Sequence, residues 1–225
     1  MPGIIDHILS RSEFVREPPV LVDVGASGQL HKEWRRIAKY SICIAFDADV
    51  REMRYVESKS SLYRKLYIYK GIVADQPVVD AEFYLTKSPY CSSVLAPLNQ
   101  KLENWAFCDL FEVKEKVFLK AVNLLSVFSE LKINQVDWFK TDSQGMDLRL
   151  FLSLGDTIIK KVLAAEFEPG IIDAYKSEDK FWSLMSYMEK SGFWMSDIRV
   201  CGSQRMARAI AKNFYNFEKN VFPYC

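Results

Sequence analysis

Val20-Leu21-Val22-Asp23-Val24-Gly25-Ala26-Ser27-Gly28 is a short apolar run that ends in an acid and a glycine-rich turn. Pro18-Pro19 breaks the chain just before it. Residues Leu30 to Tyr40 follow as an expected helix, with Trp34, Ile37 and Ala38 on one face. Ile42 to Phe46 is a second apolar run, closed by Asp47-Ala48-Asp49, where Asp49 is suited to cap a helix over Val50 to Ser58. Apolar strands separated by amphipathic stretches are the mark of βαβ units in a parallel sheet buried on both faces.

The same alternation extends along the chain. Tyr67 to Val73 is expected as a third strand, Ala81 to Leu85 and Phe111 to Leu119 as further strands, and Asn123 to Leu131 as a helix. Ser88 to Asn99 contains Pro89 and Pro97 and reads as a loop. Val136 to Thr141 is a strand, Met146 to Leu154 a helix, Ile158 to Phe167 a strand, Ser177 to Ser191 a helix and Phe193 to Val200 a last strand. The tail, Arg205 to Cys225, reads as a helix with a short terminal strand. The expected fold is α/β, a doubly wound, mostly parallel Rossmann-like sheet, in a single domain spanning 1–225 with an irregular insertion over 75–120.

Composition narrows the function. The 225 residues are 49 % hydrophobic and 26 % charged, enough apolar content for a packed core. Lys+Arg 30 against Asp+Glu 29 leaves +1, without the basic excess of a nucleic-acid binder. No run of about 18 apolar residues is present, so no membrane span is expected. The charged N-terminus (Asp6, Arg11, Glu13, Arg16) has no signal-peptide core. Cys43, Cys91, Cys108, Cys201 and Cys225 form no C-x-x-C pair and read as reduced thiols of a cytoplasmic protein, with no metal site expected. The end at Phe222-Pro223-Tyr224-Cys225 is abrupt, as in a fragment.

Ligands of such sheets bind at the carboxyl ends of the strands. Here those ends are Asp23 to Gly28, Asp47 to Asp49, Ala74-Asp75, Asp142 to Gly145 and Glu166 to Glu168. Gly25 and Gly28 allow close backbone approach by a ligand, although G-x-x-G alone is equally an ordinary tight turn. Asp47 lies 22 positions after Gly25, where an acid can accept both hydroxyls of a ribose; its plainer reading is a helix cap, a role that Asp49 fits better. Together they point to an adenosine-containing cofactor. Asp23 beside the glycines disfavours a pyrophosphate and suits a cation such as the sulfonium of S-adenosylmethionine.

These residues resemble a known family. Leu21 to Gly28, Ile44 to Asp49, Trp138 to Asp147 and Ala165 to Pro169 are similar to the successive motifs of FkbM-type S-adenosylmethionine-dependent methyltransferases, and Ser92-Ser93 resembles a serine pair common there. The resemblance spans about residues 20 to 200. It implies a class I methyltransferase fold and O-methylation of a sugar or other natural-product hydroxyl. By position, Asp23, Gly25, Ala26, Ser27 and Gly28 would line the methionine side of S-adenosylmethionine. Asp47 with Ala48 would hold the ribose, Ala74-Asp75 would flank the adenine, and Asp142 would face the reacting centre. The sequence departs from the family at Ser27, at Asp47-Ala48 and at Gln144, where the family commonly has Asn, Glu-Pro and Glu. Gln144 carries no charge, which argues against a base or cation ligand at that position.

An alcohol acceptor must lose a proton, and Asp142 and Glu166 are the candidate bases, with Glu168 third. Each is as readily a satisfied structural carboxylate. His31 reads as a helix-surface residue and Lys140 as a strand lysine reaching for solvent. Tyr84, Tyr90, Ser92, Ser93, Asn99, Asn104 and Trp105 suit a saccharide or small-molecule acceptor, although an aromatic-capped loop explains them equally. Two other classes compete: a nucleotide-binding oxidoreductase or epimerase, disfavoured by the missing G-x-G-x-x-G, and a non-catalytic nucleotide-binding protein, favoured by Gln144.

Overall fold

A computed structural model describes residues 3–26, 33–48, 62–199, 205–207 and 210. Among these, the strands are β1 (Val20–Val24), β2 (Ile42–Asp47), β3 (Lys65–Lys70), β4 (Ile72–Ala74), β5 (Asp80–Thr86), β6 (Val113–Asn123), β7 (Trp138–Thr141) and β8 (Ala164–Phe167). The helices are α1 (Ile4–Leu9), α2 (Ser12–Arg16), α3 (Asn99–Leu102), α4 (Leu124–Leu131), α5 (Asp147–Leu152), α6 (Asp156–Ile159) and α7 (Phe181–Lys190). None of them is long and apolar enough to cross a membrane.

The central sheet has five strands, all parallel, in the order β3-β2-β1-β7-β8. The chain steps outward from β1 to β3, then returns to the other side of β1 with β7. That reversal opens a crevice between the carboxyl ends of β1 and β7. The apolar runs are explained by burial on both faces. Val22, Ile44, Phe46 and Phe139 are fully buried and pack with Leu124, Val127 and Phe128 of α4, Leu150 and Phe151 of α5, and Leu184 and Met188 of α7. Leu21 and Cys43 point to the other face and pack with Trp34, whose ring meets Trp138 edge-on at 5.9 Å.

β4, β6 and β5 form a separate three-stranded sheet, with β5 and β6 antiparallel. The single strand expected over Tyr67 to Val73 is therefore two strands, parted at Gly71. A Cβ there would lie 2.6 Å from the Lys120 carbonyl oxygen, so the backbone of β6 fits against this position only when it is glycine. The strand expected over Phe111 to Leu119 starts later, at Val113, because Cys108–Phe111 is a 3-10 turn. The helix expected from Asn123 is capped there, with Asn123 Oδ1 accepting from the Leu125 N–H at 3.1 Å.

Four other expectations are corrected. Ile158 to Phe167 is α6 followed by β8, because Gly155 (φ 75°) starts a helical turn that buries Ile158 and Ile159. Phe193 to Val200 has no regular structure over 193–199, where Trp194, Met195 and Ile198 are exposed and no strand among the described residues pairs with them. In the expected helix over Leu30 to Tyr40, the described part holds two 3-10 turns, Trp34–Arg36 and Ala38–Tyr40. The helix expected over Ser177 to Ser191 begins only at Phe181, after Ser177 takes a left-handed φ of 55°. Ser27, Gly28, His31, the helix expected over Val50 to Ser58 and nearly all of the tail from Arg205 lie outside the described residues.

Candidate functional site

The crevice at the β1/β7 reversal holds a cavity of about 90 Å³. Its walls come from the ends of β1 and β2, from β4 and β5, from the loop at 89–94 and from the loop after β7. Gly25 sits at its base. Gly25 has a φ of 79°, and a Cβ there would lie 2.2 Å from the Asp142 carbonyl oxygen. Only glycine brings these two loops together. The N–H groups of Gly25 and Ala26 both donate to the Phe46 carbonyl at 2.9 Å, and Asp142 N–H donates to the Val24 carbonyl at 2.9 Å. These amides hold the three strand ends in register.

Of the residues singled out from sequence, Gly25, Asp47, Ala48, Tyr90, Ser92 and Asp142 line this cavity. Asp47 ends β2 and is 8 % exposed. Ser92 is buried, and its Oγ accepts from the Thr86 N–H at 3.1 Å. Tyr90 stands exposed at the rim. Ser93 lies behind the wall: its Oγ donates to the Gln144 carbonyl at 2.8 Å and accepts from Leu95 N–H at 3.0 Å. Ala26, Ala74 and Asp75 do not line it, while Ile72 and Val73 of β4 do.

Asp23 and Glu166 sit on the opposite face of the strands from Val24. In register, Asp23 of β1, Lys140 of β7 and Glu166 of β8 stand side by side. Lys140 Nζ lies 3.0 Å from Asp23 Oδ1, and both side chains are largely buried (14 % and 15 % exposed). Lys140 is therefore not a solvent-reaching lysine. Burial opposes its charge, but Asp23, Asp142 and Glu168 together hold it above the ordinary lysine range. The Asp23 charge is accordingly matched within the fold.

Burial raises the Asp142 carboxyl above its usual range, with Asp23 adding to the rise and Lys140 and Gln144 opposing it. Glu168, which keeps contact with solvent, is pushed up to about 7 by burial first and by Asp142 second. Gln144 adopts a left-handed φ of 55° and its Nε2 donates to Asp142 Oδ1 at 2.5 Å.

Three features of the site went unrecognised in the sequence. Asp147, fully buried at the start of α5, accepts from Thr141 Oγ1 at 2.9 Å, Ser143 Oγ at 2.7 Å and Ser143 N–H at 3.2 Å. Burial lifts its carboxyl to about 6 against those bonds. Arg149 pairs with Asp179 at 3.0 Å and donates to the carbonyls of Gly145 and Ser177. Tyr175, also buried, reaches Gln144. The Ser143–Asp147 spacing is a local capping signal; Tyr175 has none. Among the described residues no group of three His, Cys, Asp or Glu side chains is placed to hold a metal. The chain matches no family model, no curated protein and no solved structure.

Proposed function

We propose that the chain is an S-adenosylmethionine-dependent O-methyltransferase of the class I, FkbM-like type, acting on a hydroxyl of a sugar or other natural product. The observation that carries this reading is the cavity at the β1/β7 reversal, with the Asp47 and Asp142 carboxylates in its wall and no Lys, Arg or His among its described lining residues. Such a lining favours a neutral or cationic ligand and disfavours a pyrophosphate. The Asp23 charge is matched by Lys140 and lends this reading nothing. The resemblance of the motifs supports the same cofactor.

Asp47 closes β2 where ribose hydroxyls need an acceptor. S-Adenosylmethionine supplies an electrophilic methyl group. The protein's task is to align the acceptor and take its proton. Asp142 is the base this geometry favours: it lines the cavity and burial raises its carboxyl above the usual range, whereas Glu166 is not among the residues that line the cavity. A cavity of about 90 Å³ is smaller than the ~300–1,000 Å³ of usual small-molecule sites, so the reading entails that the walls part on binding.

A second reading, a nucleotide-binding protein without turnover, is favoured by the Gln144 amide that occupies Asp142 Oδ1. Equilibrium binding followed by an acceptor panel separates the two. Tight S-adenosylmethionine binding with methyl transfer supports the enzyme. Binding without transfer to any hydroxyl acceptor supports the second reading. Tight NAD binding without S-adenosylmethionine binding overturns both the charge argument and the cofactor.

A further inference from the structure

The hydrogen-bond arithmetic around Asp142 is unequal in its two protonation states. Tyr175 has one hydroxyl proton and two acceptors in reach, the Cys91 carbonyl at 2.9 Å and Gln144 Oε1 at 3.0 Å. With Asp142 ionised, Gln144 Nε2 donates to Oδ1, and Oε1 then competes with the Cys91 carbonyl for that one proton. With a proton on Asp142 Oδ1, a half-turn of the amide removes the competition. Oδ1–H donates to Oε1, Nε2 donates to the Tyr175 oxygen, and the phenol proton goes wholly to Cys91. Donors and acceptors then match one to one.

We infer that Gln144 and Tyr175 are positioning residues that hold the Asp142 carboxyl in both of its protonation states, by a half-turn of the Gln144 amide and a reorientation of the Tyr175 hydroxyl. Its use in turnover rests on the proposed role of Asp142 as base; the relay itself does not. The only bond made is Oδ1–H, and the only bond broken is that of the proton's source, an acceptor hydroxyl or water. No proton travels along the relay.

The frame around it is fixed. Ser93 Oγ holds the Gln144 carbonyl, and the left-handed φ of Gln144 directs its side chain between Asp142 and Tyr175. Tyr175 is buried and its phenol is pushed up by burial, so it keeps its proton. The charged or titratable groups around Asp142 are Asp23 on β1, Lys140 on β7, Glu168 after β8, Asp147 on α5, the Cys91 thiol and Tyr175. A Glu at 144 would place a second carboxylate against the first, a pair that cannot both ionise.

The test is a nuclear magnetic resonance titration of the full chain without added ligand, with ¹³C at Asp Cγ and Tyr Cζ and ¹⁵N in the Gln side chains. Gln144 Nε2 and Tyr175 Cζ are expected to move with the same midpoint as Asp142 Cγ. Asp142→Asn should abolish both movements, and Gln144→Leu should abolish that of Tyr175 while Asp142 still titrates. Stationary Gln144 and Tyr175 resonances during the Asp142 titration overturn the relay. So does an Asp142 that takes up no proton before the protein unfolds in acid. Co-titration in a protein that fails to bind S-adenosylmethionine would leave the relay standing and remove the proposed function.

Discussion

Asp23 and Lys140 form a largely buried cross-strand ion pair, 3.0 Å apart on adjacent parallel strands. Its partners are 117 residues apart in sequence, and it removes Asp23 from the acids at the sheet edge that could act on a ligand. Removing one partner of such a pair leaves a buried charge, at a cost of about 3–5 kcal/mol. Lys140→Met should therefore lower stability by that order, and adding Asp23→Leu should recover most of it. Urea unfolding of the two single variants and the double variant checks this; equal losses that simply add would show the pair uncoupled.

Gly25→Ala introduces a side chain at a φ of 79° and against the Asp142 carbonyl. The backbone conformation alone costs about 1–2 kcal/mol, and the clash adds to it. Thermal unfolding should show a clear drop in midpoint, together with loss of cofactor binding. An unchanged midpoint would mean that the two loops are not in contact.

Asp142→Asn should lower turnover by about 10²–10⁴-fold while leaving cofactor affinity nearly unchanged, the signature of a lost base. Steady-state kinetics set against S-adenosylhomocysteine binding measure the split. Unchanged turnover would remove Asp142 from the mechanism.

Asp147 makes stability pH-dependent in a direction fixed by its shift. Its folded carboxyl titrates at about 6, above the ordinary 3.8, so the folded state binds the proton more tightly than the unfolded state. This contribution favours folding in acid and is lost as pH rises from about 4 to 6. A shift of about two units corresponds to on the order of 3 kcal/mol. The stability difference between the natural protein and Asp147→Asn should change across that window and level off above it. A difference that stays flat from pH 4 to 7 would place Asp147 in a far more polar setting.

Much of the sheet is legible in sequence because strands buried on both faces leave unbroken apolar runs, as in Val20–Val24 and Ile42–Asp47. The errors have local causes. Apolar character runs straight through Gly71, while the break there depends on Lys120, far along the chain. Phe193 to Ile198 carries strand-like residues, but strand formation needs a neighbour and none of the described strands pairs with it. At the site, strand-end position alone located Gly25, Asp47 and Asp142. The Lys140 that matches Asp23 and the Tyr175 that reaches Gln144 come from tertiary neighbours and leave no mark in spacing.

The proposed function turns on whether the carboxylates lining the β1/β7 crevice receive a sulfur nucleoside. A crystal structure of the protein grown with S-adenosylhomocysteine measures this directly. The account predicts the ribose hydroxyls on Asp47, the sulfur near Asp142 and the walls of the crevice moved apart. A crevice left empty at saturating ligand, or a nucleoside bound elsewhere with Asp47 still buried against its own neighbours, would contradict it.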